Sequence, residues 1–221
     1  MIVGLAPSIL RRDRRPTGVP PTPELCARTP LPTDSAPTTT ILDEPATLEL
    51  VDRLARDIAA AVPQEARLVL VGIQRRGDSI ARRVATGLVP LRGEVPTGSL
   101  DITLYRDDFA QLASMPQVGS SDVPPDITDS HLVIVDDVLY TGRTIRAALN
   151  ELSDFGRART IELCVLIDRG GRQLPIQPDY AGRFVEVPPG AQVSVRVGDL
   201  DGEWGVDLID MKRLRETVGG N

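Results

Sequence analysis

Apolar residues recur along this chain in two alternating patterns, short continuous runs and longer helical stripes. Leu68 to Ile73 and Leu132 to Val135 are apolar runs rich in β-branched residues, which suits strands of a parallel sheet buried on both faces. From Leu48 onward, Val51, Leu54, Ala55, Ile58 and Val62 follow helical spacing, and Pro63 ends the pattern. Ile80, Ala81, Val84 and Leu88 form a second stripe, and Ile145, Ala148, Leu149 and Leu152 a third. The third helix is expected to start near Thr144 and end near Gly156, a residue type favoured just past a helix. Leu100, Ile102 and Leu104 alternate with Asp101, Thr103 and Tyr105, the period of a half-exposed strand. Thr160 to Ile167 reads as another buried strand, and Phe184–Val187 and Val193–Val197 are shorter strand-like runs. The order predicts an α/β fold, a central, mostly parallel, twisted sheet flanked by helices.

Residues 1–40 carry neither pattern. Pro and Thr dominate, Arg11, Arg12, Arg14 and Arg15 cluster, and the stretch predicts a disordered N-terminal extension ahead of one folded domain at 41–221. Its apolar start precedes the arginines, the reverse of a secretory signal.

The chain has 25 basic and 31 acidic residues, a formal net charge of −6, so it lacks an overall basic footprint for nucleic acid. The first 40 residues hold five arginines and three acids, leaving 20 basic and 28 acidic residues in the remainder. Any RNA contact would need a local patch. Cys26 and Cys164 fit neither a metal spacing nor a disulfide framework, and Cys164 reads as a buried free thiol, which points to a reducing, cytoplasmic setting. No apolar run approaches membrane-span length, so no membrane association is expected.

The chemistry concentrates in His131 to Leu152, HLVIVDDVLYTGRTIRAALNEL. Asp136 and Asp137 cannot continue a buried strand unpaired, so the strand should emerge there, at the edge where open α/β sheets bind ligands. An isolated Asp-Asp pair more often caps a helix. Here it runs into Tyr140-Thr141-Gly142-Arg143-Thr144, small and hydroxyl-bearing, at a helix N-terminus where orphan amides and the macrodipole favour an anion. The loop has neither Walker A nor dinucleotide spacing. Paired carboxylates ahead of a phosphate loop suit two adjacent sugar hydroxyls, so the implied ligand is a ribose 5-phosphate. Gln74-Arg75-Arg76-Gly77, after the Leu68–Ile73 strand, offers a second turn able to take an anion. His131, the single histidine, lies at the start of its strand, opposite the ligand edge, and reads as a bland surface residue. Arg53 and Arg56 read as solvated charges on the first helix, and Trp204 as packing.

The run Val133 to Thr144 resembles the phosphoribosyl diphosphate motif of type I phosphoribosyltransferases, and its wording resembles the PyrR family in particular. Gly72–Gly77, Asp101–Asp108, Val165–Gly170 and Leu174–Ile176 are similar to PyrR segments in the PyrR order, and the resemblance spans roughly 41–210. It begins only near Ile41, so residues 1–40 read either as a genuine extension or as translation from an upstream start.

This resemblance implies the type I phosphoribosyltransferase fold with a small hood and a flexible lid. It implies a uracil phosphoribosyltransferase that makes UMP and pyrophosphate from uracil and phosphoribosyl diphosphate, with Mg²⁺ bound alongside the diphosphate substrate and no direct metal ligand. Asp136, Asp137 and Arg76 would be catalytic. Val138, Tyr140, Thr141, Gly142, Arg143 and Thr144 would hold the 5-phosphate, Arg75 and Gly77 the pyrophosphate, and Tyr105 and Arg106 would belong to the lid. Asp168 and Arg169 would face the base, and Arg172 and Arg56 would face RNA. Homo-oligomers and UMP-dependent binding to leader mRNA of pyrimidine genes are also family expectations. The sequence departs from the family where Gly171, Gln177 and Asp52 stand, removing two basic-capable positions and adding an acid. The alternatives are an RNA-binding regulator with vestigial activity and a transferase for another base.

Overall fold

A computed structural model of the chain describes residues 37–102 and 120–218. In chain order the elements are β1 (Thr38–Leu42), α1 (Glu44–Ala61), β2 (Leu68–Ile73), α2 (Arg76–Arg92), β3 (Thr97–Leu100), β4 (His131–Leu139) and α3 (Arg143–Leu152). Then follow β5 (Thr160–Asp168), β6 (Tyr180–Phe184), β7 (Ala191–Arg196), α4 (Gly198–Asp201), β8 (Gly205–Asp210) and α5 (Met211–Val218).

Five strands form a parallel sheet in the order β3-β2-β4-β5-β6. Its centre is apolar on both faces, which is why the strand sequences read as continuous runs. From β4, Val133 and Val135 face the core shared with α1 and α2, through Leu54, Ile58, Ile80, Val84 and Leu88. Leu132 and Ile134 face the opposite core, closed by Ile145, Ala148 and Leu152 of α3. The first helix starts earlier than its apolar stripe, because Asp43 caps it by accepting from the Ala46 N–H and Pro45 suits the first turn.

A second, three-stranded antiparallel sheet, β1-β8-β7, adds Leu42, Val193, Val195 and Val206 to the α1/α2 core. Strand β1 pairs Thr38, Thr39 and Thr40 with Ile209, Leu208 and Asp207, so these threonines, expected in the tail, belong to the sheet, while residues 1–36 of that expected tail lie outside the described residues. Trp204 packs partly buried against the same core, in keeping with the packing role expected for it.

Several boundaries differ from the sequence expectation. Strand β3 covers Thr97–Leu100 and pairs with β2, and Asp101 and Ile102 follow it outside any strand; Thr103, Leu104 and Tyr105 of the half-exposed strand expected from Leu100 lie outside the described residues. Strand β4 does not stop at the acid pair. It leaves β2 after Val135 yet stays registered with β5 through Leu139, so Asp136 and Asp137 lie within the strand. Helix α3 ends at Leu152 with Ser153 as its cap, so Gly156 is not its C′ residue; Gly156 instead takes φ 133° in the following loop. The expected strand at Phe184–Val187 is β6, which ends at Phe184.

Arg53 is not merely solvated, since its guanidinium donates to the carbonyls of Gly182 and Ala181 and ties α1 to β6. His131 is not a bland surface residue either. Its ring is 13% exposed and lies 2.9 Å from the Glu162 carboxylate, which also accepts a 2.5 Å hydrogen bond from the Tyr180 hydroxyl. That cluster sits at the amino edge of the sheet. No helix among the described residues is long and apolar enough to cross a membrane.

Candidate active site

The carboxyl ends of β2 and β4 open into one cavity of about 280 Å³ lined by Ile73, Gln74, Arg75, Arg76, Asp101, Ile102, Asp136, Asp137, Val138 and Thr144. It forms where neighbouring parallel strands diverge, since β4 pairs with β2 only as far as Gly72–Val135. Two glycines bring its walls together. A Cβ on Gly72 would stand 2.3 Å from the Asp78 Cα, and one on Gly77 would stand 2.5 Å from the Val135 carbonyl oxygen. Only bare backbone lets the turn between β2 and α2 rest against β4, and this places Arg75 and Arg76 opposite the acid pair. The Gln74–Arg75 peptide in that turn is cis.

Asp136 is 5% exposed, and its Oδ1 accepts a 2.9 Å hydrogen bond from the Asp137 N–H. Burial, reinforced by the neighbouring charge of Asp137, holds the Asp136 carboxyl well above the ordinary carboxylate range. Asp137 is less buried and accepts from the Val138 N–H at 2.8 Å. The two acids therefore present different environments to one ligand.

Beyond them the chain turns through Tyr140 and Thr141 to Gly142, which caps α3 at φ 90°, a conformation costly for other residues. The Thr141 hydroxyl accepts from the Arg143 N–H at 3.3 Å, and Thr144 reaches the cavity wall. Amides in the first turn of any α-helix lack intrahelical acceptors, so this N-terminus supplies donors beside the acids. On the other wall Arg75 is exposed, while Arg76 pairs with Asp201 of α4 at 3.1 Å and its Nε is buried without a partner among the described residues.

The structure thus brings Asp136, Asp137, Val138, Thr144, Arg75 and Arg76 around one space, with Gly77 beneath and Tyr140 to Arg143 leading into α3. Asp168 and Arg169 do not line the cavity; Asp168 ends β5, where it accepts from the Gly170 N–H and pairs with Arg172, and Arg169 follows it in the loop. Arg169 lies over the Tyr140 ring at 4.2 Å. Tyr105 and Arg106 lie outside the described residues. Arg56 is exposed on α1, away from the cavity lining. The Arg172 side chain is 14% exposed and bonds the Asp168 carboxylate and the Ile176 carbonyl. Asp52, the added acid, pairs with Arg83 at 2.7 Å. Sequence reasoning gave no site role to Gln74 or Asp101, although both lie in stretches it had singled out; Gln74 follows β2 directly, which is the signal that could have found it.

Residues 37–193 match the phosphoribosyl transferase domain family. The chain is 49% identical over 163 residues to the bifunctional protein PyrR of Akkermansia muciniphila, covering 74% of this chain and 91% of that one. To the same protein of Pelotomaculum thermopropionicum it is 46% identical over 171 residues, covering 77% and 94%. The chain belongs to the PyrR family. The fold is also that of Trypanosoma cruzi hypoxanthine phosphoribosyl transferase, with a TM-score of 0.62 at 20% identity over 82% of this chain and 95% of that one. At that identity the likeness speaks for architecture alone, and the PyrR relatives carry the family assignment.

Proposed function

We propose that this PyrR-family chain is a uracil phosphoribosyltransferase that converts uracil and phosphoribosyl diphosphate into UMP and pyrophosphate. The observation that carries this reading is the single cavity in which Asp136, Asp137 and Thr144 face Arg75 and Arg76. The 5-phosphate sits on the loop from Tyr140 to Thr144, and the ribose hydroxyls meet Asp136 and Asp137. The pyrophosphate lies toward Arg75 and Arg76. Its departure builds positive charge on the ribose ring, which the Asp137 carboxylate stabilises, while the arginines hold the leaving anion. No covalent nucleophile is needed.

Mg²⁺ bound with the diphosphate would neutralise part of its charge. The cavity suits a cation that enters with the diphosphate, since the acids Asp101, Asp136 and Asp137 line it and would offset its charge without ligating it directly. The working form in this reading is a cytoplasmic homo-oligomer.

Regulation through leader mRNA, with UMP as co-effector, is the second activity of this reading. Mixing purified protein with Mg²⁺, phosphoribosyl diphosphate and uracil tests the enzyme: UMP formation is expected, and preference for guanine or hypoxanthine would overturn the base assignment. A gel shift with the chain's own upstream leader RNA, with and without UMP, tests the regulator, and no binding at low salt rejects it.

A further inference from the structure

The loop after β5, residues 169–176, is tied to the candidate 5-phosphate loop along its length. The N–H groups of Gln173 and Leu174 both donate to the Thr141 carbonyl, at 3.0 and 3.2 Å, and the Arg169 N–H donates to the Leu139 carbonyl at 3.1 Å. Arg143 Nε donates to Gln173 Oε1 at 3.0 Å. Between the two loops stands Arg172. Its Nε donates to the Ile176 carbonyl at 2.9 Å and its Nη2 pairs with Asp168 Oδ2 at 2.7 Å. Its Nη1 reaches the carbonyls of Tyr140 at 3.1 Å, Gly170 at 3.3 Å and Leu139 at 3.4 Å. The Tyr140 ring is locked into the same assembly, because a Cβ on Gly171, which takes φ 74°, would stand 2.4 Å from it.

We propose that Arg172 is a positioning residue for phosphoribosyl diphosphate, which sets the 5-phosphate loop by holding the carbonyls of Leu139 and Tyr140. This rests on the function proposed above. A trans peptide is planar, so a carbonyl fixed on one side fixes the next residue's N–H on the other. Arg172 therefore sets the directions of the Tyr140 and Thr141 amides, on the loop that would receive the phosphate. Only a planar fork serves acceptors on this many sides; an ammonium keeps the charge and loses the geometry. The acid that anchors the fork, Asp168, then acts through Arg172 rather than by reading the base.

The test is calorimetric binding of Mg²⁺–phosphoribosyl diphosphate, without any base, to the full chain and to Arg172→Ala, Arg172→Lys and Asp168→Asn. Melting curves and added guanidinium ion accompany it. Arg172→Ala is expected to weaken binding at least about tenfold and Arg172→Lys nearly as much, with Asp168→Asn milder, as loss of a charged fork predicts. Guanidinium ion should restore part of the affinity of the alanine variant, a rescue that general loosening of the fold would not give. Affinities within about twofold of wild type for both Arg172 variants overturn the proposal. Should the alanine variant not fold, wild-type affinity in Arg172→Lys and Asp168→Asn overturns it equally. Wild-type protein that binds no phosphoribosyl diphosphate overturns the functional reading and this proposal together, whereas wild-type binding with unaffected variants removes this proposal alone.

Discussion

Gly77 meets Val135 backbone to backbone: a Cβ on the glycine would stand 2.5 Å from the Val135 carbonyl oxygen, one residue before the acid pair. The distance between the arginine turn and the carboxylates is thus set by the absence of one methyl group. Gly77→Ala should push α2 from β4 or twist β4 itself. Overpacking of this kind costs about 1–3 kcal/mol. Because reacting groups misplaced by a fraction of an ångström lose rate steeply, kcat/KM should fall at least about tenfold. Melting curves and steady-state kinetics check both, and an alanine variant with wild-type values in each would show that the contact does not set the site.

Asp136 should trade stability for function. Its carboxyl is held well above the ordinary value by burial first and by the charge of Asp137 second. Between the unfolded value near 3.8 and the raised folded value, the folded chain binds the extra proton, so this group's contribution to stability is lost as pH rises. Asp136→Asn removes that loss. The variant should gain in melting temperature over wild type as pH rises above 3.8, and its transferase rate should drop at least about tenfold. Asp137→Asn should lower the rate similarly. Parallel melting-temperature profiles for wild type and Asp136→Asn across pH would sink the electrostatic account.

The parts of this molecule that were legible in the sequence are those where burial is symmetric. Strand β2 ends at the residues read from its apolar run because both of its faces are covered. Strand β4 was read short, because its last turns toward the ligand edge carry Asp136 and Asp137 while the backbone still pairs with β5. Strand β3 carries no comparable apolar run. It contains Gly98, where a Cβ would stand 2.5 Å from the Asp122 carbonyl, so its sequence shows close backbone approach rather than alternation. The ingredients of the site sit in recognisable βα turns, which is why they could be singled out. The bonding of Arg172 could not be read, because its acceptors are backbone carbonyls spread from Leu139 to Ile176.

Cys164 lies fully buried in β5, and burial pushes its thiol up to about 12. A thiol that must ionise to react is thereby protected. In a Cys26→Ser variant, an aromatic disulfide reagent at neutral pH should label no thiol in the native chain and one after unfolding. Rapid labelling of the native protein would mean that β5 opens on the timescale of the assay.

Tyr180 donates a 2.5 Å hydrogen bond to Glu162, the acid that also faces His131. Burial, then the Glu162 hydrogen bond, raises the phenol above its ordinary value, so it remains a donor throughout the working pH range. Tyr180→Phe should cost about 1–2 kcal/mol of stability. Because the cluster lies at the amino edge, away from the candidate active-site cavity, kcat should stay near wild type. Urea titrations and kinetics measured side by side separate the two effects, and a large fall in kcat at intact stability would show coupling across the sheet.

The ion pair between Arg76 and Asp201 distinguishes charge from placement at the pyrophosphate turn. The pair is partly open to water, with side chains 38% and 23% exposed, so its own contribution to stability is small. Asp201 also accepts from the Val197 N–H at 2.9 Å, a bond within the α4 turn itself. Arg76→Gln removes the cation that would meet the leaving group, and KM for phosphoribosyl diphosphate should rise at least about tenfold. Asp201→Asn leaves the cation in place and lifts a competing anion from it, so KM should change by less than about threefold. Steady-state titrations with phosphoribosyl diphosphate at saturating uracil read both values. If the two variants raised KM alike, Arg76 would matter only as placed by Asp201; if neither did, pyrophosphate would be held elsewhere, with the exposed Arg75 the next residue to replace.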